Sequence, residues 1–153
     1  MPAISVVYFD LGATLVDPIV RPDGTFVGFT VLPGVIDGLT KLGTHGPRLG
    51  VISNTGAIDT VDVREALDKV ELSSFFDDEL VLLSGEVGLD KSTPAIFRLA
   101  LKRARLSRKA SSGVFVGEDA AERRTARQAG MQTNTSLVRI VKLLSGRQRP
   151  HLG

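Results

Sequence analysis

Asp10, Ser53, Lys91 and the acidic pair Glu118 and Asp119 each stand at or shortly after the end of a short apolar run. A carboxylate, a hydroxyl, an ammonium and a second group of acids make a working set for a phosphate and a divalent cation. The carboxylate can attack phosphorus and carry the phosphoryl group as an aspartyl-phosphate. A hydroxyl, backbone amides and an ammonium can hold phosphoryl oxygens. Two carboxylates and a carbonyl can hold Mg²⁺, a hard cation that takes oxygen ligands and keeps several waters. Asn54, beside Ser53, and Glu122, one turn beyond Glu118, extend the set. Taken singly, each residue has an ordinary explanation. An Asp after a strand forms turns, Lys91 suits a solvated surface, and Glu118 and Asp119 suit the start of a helix. The functional reading rests on their conjunction.

That conjunction needs elements that bring the residues to one place. Residues 3–9 (AISVVYF) are apolar almost throughout, which predicts a strand buried on both faces. Residues 18–30 read as a hairpin around Pro22-Asp23-Gly24. A short helix over 34–42 carries Val35, Ile36, Leu39 and Leu42 on one side. A second strand spans 48–53, and Asp59 caps the helix that follows, with Val63, Ala66, Leu67 and Val70 inward. A third strand spans 79–84. Ser92 or Thr93 opens the next helix, with Pro94 in its first turn and Ile96, Phe97, Ala100, Leu101 and Ala104 inward. The fourth strand, 112–117, leads into a helix stopped by Gly130. A last strand at 131–133 and a helix over 136–144 complete the pattern. Strands alternating with helices predict a three-layer α/β/α, Rossmann-like domain with a parallel sheet. Its expected span is residues 1–145, with 146–153 as a tail. In such sheets ligands bind beyond the carboxyl ends of the strands, where the candidate residues stand.

Composition narrows the classes. An apolar fraction of 42% is that of a globular protein. The chain has no cysteine, so disulfides, zinc–thiolate sites and thiol catalysis are excluded. With no basic-then-apolar leader pattern, a cytoplasmic location is the expectation. No apolar run has the length of a membrane span, and a net charge of +2 makes no global case for nucleic acid or membrane. The basic run at 102–109 (KRARLSRK) lacks the interleaved aromatics of a single-strand binder and reads as a solvated helix end. Arg123, Arg124 and Arg127 read as surface residues, Phe75 and Phe76 as core. His45 and His151 stand alone, without a metal partner or a triad.

Four segments together resemble the haloacid dehalogenase superfamily of phosphohydrolases. FDLGATL is similar to its first motif, LGVISNT to its second, GLDKSTPAIF to its third and VFVGEDAAERRTARQAGM to its fourth, in that order, over the chain up to Leu144. The resemblance implies Asp10 as the nucleophile, Ser53 and Asn54 at the phosphate, and Lys91 as the phosphate-facing lysine. It implies Mg²⁺ held by Asp10, the Gly12 carbonyl and Glu118 or Asp119, with Thr14 and Glu122 in support. Three positions depart from the pattern. Gly12 stands where the family usually has the Asp that acts as general acid and base, and Glu118 and Glu122 stand where it usually has Asp.

The family also carries a cap domain at one of two insertion points. Between Asp10 and Ser53 there is room for the hairpin and one helix only, and between Ser53 and Lys91 for a helix and a strand. The expectation is therefore a capless phosphatase, open to a large phosphorylated substrate or to a protein partner that covers the site. The missing acid at position 12 predicts weak activity and a preference for leaving groups that need little protonation. The alternative is a non-catalytic phosphate-binding or interaction module with the same fold. Dehalogenation is disfavoured, because a small halo-acid needs a cap to enclose it.

Overall fold

The computed structural model describes residues 3–147. The first apolar run becomes β1 (Val6–Phe9), with all four side chains buried. A strand buried on both faces belongs in the middle of a parallel sheet. β1 pairs in parallel with β4 (Arg48–Ser53) on one side and β6 (Gly113–Val116) on the other. Beyond them lie β5 (Val81–Leu83) and β7 (Gln132–Asn134), also parallel. The order β5-β4-β1-β6-β7 reverses direction at β1. That reversal leaves a crevice at the carboxyl ends of β1 and β6, and Asp10 is the first residue past β1.

Alternation along the strands divides the apolar residues into two cores. Val7 and Phe9 face α1 (Val35–Thr44), α2 (Thr60–Lys69) and α6 (Leu137–Arg147). Val6 and Tyr8 face α4 (Ala95–Arg103) and α5 (Ala120–Gln128). The result is the expected three-layer α/β/α arrangement. Between β1 and α1 an antiparallel hairpin forms from β2 (Val16–Val20) and β3 (Phe26–Val31). Asp23 accepts the Thr25 N–H at its turn, 2.9 Å. The hairpin and α1 are the elements between β1 and β4, and no cap domain interrupts the described residues.

Several boundaries differ from expectation, each for a local reason. β1 starts at Val6 rather than Ala3. The third strand is cut to three residues by a 3-10 turn over Asp78–Leu80 before it and by α3 (Ser84–Val87) after it. Ile36 is 42% exposed, and Gly38 takes its place on the buried face. Gly38 lies so close to Leu137 that a methyl group would come within 2.7 Å of it. Neither Ser92 nor Thr93 caps α4. Pro94 occupies the cap position, while the Asp90 carboxylate takes the Ser92 N–H at 2.9 Å. The last strand begins one residue late, because Met131 is buried in the α4–α5 core. Asp59 caps α2 as expected, accepting from Val61 N–H at 2.9 Å. α6 continues through Gly146 and Arg147, and residues 148–153, with His151, lie outside the described residues. His45 meets Ser145 Oγ through Nε2 at 3.2 Å. Among the described residues no helix is long and apolar enough to cross a membrane.

Candidate active site

The centre of the crevice is an ammonium between two carboxylates. Lys91 is 2% exposed, and its Nζ lies 2.7 Å from Asp10 Oδ1 and 2.6 Å from Glu122 Oε1. The first contact is a hydrogen bond; the second has the distance of an ion pair without hydrogen-bond angles. Three elements supply these groups. Asp10 is set by its own N–H, which donates to the Val116 carbonyl at 3.0 Å and so continues the β1–β6 pairing by one residue. Lys91 is set by its backbone N–H, which donates to Asn54 Oδ1 at 2.9 Å. Glu122 sits in the first turn of α5, whose start is capped by Asp119 Oδ1 accepting the Glu122 N–H at 3.0 Å.

The surroundings hold this geometry. The Phe115 ring lies under the ammonium, with Nζ 5.5 Å from its centroid, close enough for a cation–π attraction. Gly117 follows β6, where a methyl group would come 3.1 Å from the Phe115 ring and 3.4 Å from the Asp10 Cβ. Glycine is what lets strand end, ring and carboxylate pack together. Arg123, expected at the surface, donates instead to the Gly117 carbonyl at 2.8 Å and ties α5 to that strand end. On the other side, Ser53 ends β4 and is buried. Thr55 joins its loop to the next by contacts with Ser84, donating its N–H to Ser84 Oγ at 2.8 Å. Arg64 forks onto both oxygens of Glu86, at 2.7 and 2.8 Å, and the fork holds that carboxyl below the usual carboxylate range.

The candidate residues therefore divide by what they touch. Asp10, Lys91 and Glu122 are in direct contact. Asn54 is exposed and spends its side-chain oxygen on the Lys91 backbone, a positioning contact. Asp119 spends an oxygen on the helix cap, a bond whose loss costs about 1 kcal/mol. Glu118 is exposed at the end of β6, without that commitment. Phe115 is a contact of the cluster that the sequence does not signal, since its place in an apolar run reads as strand core.

The loop after Asp10 carries an inversion. Gly12 lies outside the left-handed region of φ, while Ala13 is inside it, at φ 59°. A non-glycine residue there costs about 1–2 kcal/mol. Ala13→Gly should relieve that strain, less the extra freedom it gives the unfolded chain. A net gain of about 0.5–1 kcal/mol is expected, or roughly 1–4 °C in melting temperature. A fall in melting temperature would show that Ala13 is not strained. The neighbouring Thr14 has its Oγ1 buried and without a hydrogen-bond partner among the described residues.

Electrostatics say what the cluster lacks. One ammonium between two carboxylates leaves these three groups with a net charge of −1. Alone, that excess would oppose a phosphate dianion. A divalent cation would reverse the balance, and Asp10, the Gly12 carbonyl and Glu118 are the oxygen donors the sequence offers for it. Both side-chain hydrogen bonds to Asp10 end on Oδ1, and the loop's own backbone bonds use the Leu11 and Val16 carbonyls. Among the described residues no three Asp, Glu or His side chains form a ready cage. Mg²⁺ does not require one, since it binds through one or two carboxylates, waters and substrate phosphate.

The sequence matches the model of the family described as haloacid dehalogenase-like hydrolase over residues 26–135, more than half of the chain. The chain belongs to that family. The matched region holds Ser53, Lys91, Glu118 and Glu122 but begins after Asp10, whose place in the site rests on its geometry. Solved structures share the fold at low identity. A HAD-superfamily hydrolase from Ehrlichia chaffeensis, 15% identical, aligns over 95% of this chain and 98% of its own with a TM-score of 0.75. An uncharacterized protein from Listeria monocytogenes serotype 4b, 18% identical, aligns over 94% and 99% with a TM-score of 0.76. The protein YfnB from Bacillus subtilis, solved bound to magnesium, is 12% identical and aligns over 94% and 99% with a TM-score of 0.72. No curated protein matches the chain. The hydrolase fold and family are thereby those of a haloacid dehalogenase-like hydrolase.

Proposed function

We propose that this family member is a phosphohydrolase that works with Mg²⁺ through a covalent intermediate on Asp10. The observation that carries the reading is the buried Lys91 ammonium on Asp10 Oδ1, which orients the carboxylate and leaves Oδ2 as the attacking atom. Oδ2 attacks phosphorus, the bond from phosphorus to the leaving oxygen breaks, and the leaving group departs with the bonding pair. Water then attacks phosphorus, the P–Oδ2 bond breaks with its electron pair returning to the Asp10 carboxylate, and inorganic phosphate leaves carrying the water's oxygen and protons. Lys91 and Ser53 hold phosphoryl oxygens. Asp10, the Gly12 carbonyl and Glu118 would hold Mg²⁺; Glu118 is preferred to Asp119 because Asp119 caps α5. When bound, the cation neutralises charge on the phosphoryl oxygens.

No side chain at position 12 can donate a proton to the leaving oxygen. Acyl phosphates, phosphoanhydrides and anomeric sugar phosphates, which need little protonation, are the expected substrates. With no cap domain among the described residues, the site suits a large substrate or one presented by a protein partner, which would also exclude water. Gly12 is equally the observation that favours the second reading, a module that binds phosphate without turning it over.

Beryllofluoride with Mg²⁺ mimics an aspartyl-phosphate and should bind the native protein. At a hundredfold excess over Kd it would stabilise the fold by about 2.7 kcal/mol, a rise of roughly 5–11 °C. An Asp10→Ala protein with the same rise would sink the assignment of Asp10.

A further inference from the structure

Lys102 and Ser107, from the basic run that the active site leaves unused, line a groove. Between α4 and the end of α5 lies a cavity of about 410 Å³, with Arg98, Lys102 and Ser107 on its rim and Leu99, Leu101 and Ala129 as its apolar part. Helices run antiparallel to the strands they follow in this fold. The carboxyl half of α4 therefore points to the amino edge of the sheet, away from Asp10. We propose that this groove docks an acidic segment of a partner protein, anchored by an apolar side chain.

Charge carries the first half of the inference. Arg98 and Lys102 are exposed and one turn apart on α4, and like charges at that spacing destabilise a helix. Arg105, Arg108 and Lys109 flank Ser107 and are also exposed. None of these five cations has an ion-pair partner among the described residues. An external polyanion would supply one. Polarity carries the second half, because the leucine and alanine side chains in the lining of the groove reward an apolar anchor. A single-stranded nucleic acid would want aromatic stacking platforms, and the groove has none.

The test uses a short labelled peptide of glutamates with leucines one helical turn apart, titrated against the whole chain by fluorescence anisotropy. Binding is expected, with about tenfold or greater loss in an Arg98→Glu/Lys102→Glu variant, and a similar loss when the peptide's leucines become serines. The milder Arg98→Ala/Lys102→Ala variant should weaken binding in the same direction if the double reversal fails to fold. A leucine-free peptide that binds equally well would reduce the groove to diffuse charge and overturn the proposal. Tighter binding of a labelled oligothymidylate than of the peptide would overturn it in favour of nucleic acid. Concentration-dependent self-association that Arg98→Glu/Lys102→Glu abolishes would make the occupant a second copy and would also overturn it.

Discussion

Gly12→Asp is expected to raise hydrolysis of alkyl phosphates by about 10²–10⁴-fold, the range a positioned general acid contributes. The substitution has space: a Cβ at Gly12 meets nothing within 4 Å, and the backbone there is not left-handed. Steric cost is therefore small, and the opposing effect is electrostatic. A new carboxylate joins a cluster that already carries net negative charge, so the gain should need Mg²⁺. Acyl-phosphate hydrolysis should change less, at least while phosphorylation of Asp10 limits the rate, because its leaving group departs without a proton. Initial rates on both substrate classes, with the melting temperature as a check on folding, make the comparison. A folded Gly12→Asp protein with no gain on alkyl phosphates would count against the missing acid as the defect. It would favour a site that binds phosphate without turning it over.

Lys91→Ala should damage both stability and phosphate binding. Removing the ammonium leaves Asp10 and Glu122 facing each other without their shared cation. Such a loss costs about 3–5 kcal/mol in a buried pair. The two carboxylates keep 16% and 22% of their side-chain exposure, which argues for the lower end, about 3 kcal/mol. For a chain of this size that is a fall of roughly 6–12 °C in melting temperature. Mg²⁺ should narrow the gap, since a cation can take the place of the ammonium between the acids. Binding of beryllofluoride should be lost, whereas Lys102→Ala should leave it intact. An unchanged melting temperature, or equal effects of Lys91→Ala and Lys102→Ala on the analogue, would mean that the buried cluster does not carry the anion.

Much of this was legible from residue types because the signals are local. Apolar runs predicted the central strands and Asp59 predicted its own helix cap, while of the expected site residues Lys91 meets Asp10 and Glu122. The parts that were not legible depend on distant partners. Asn54 looks like a phosphate ligand until Lys91, 37 residues away, is seen to donate to it. Asp119 and Glu118 are equivalent on paper, and only the cap geometry separates them. Phe115 reads as strand core, yet its ring faces the ammonium. Arg123 reads as surface until the Gly117 carbonyl is found within its reach. Boundary errors share a physical origin: Met131 and Ile36 went where packing, not periodicity, had room for them.

Turnover of p-nitrophenyl phosphate, measured with Mg²⁺ and with a chelator in the wild type and in Asp10→Asn, tests the central claim most directly. Its leaving group needs little protonation, so the glycine at position 12 should not mask the chemistry. Wild-type turnover should require Mg²⁺ and fall by on the order of 10³-fold or more in Asp10→Asn. A wild-type rate in Mg²⁺ no greater than that of Asp10→Asn, or one that survives the chelator, would contradict a metal-dependent phosphohydrolase acting through Asp10.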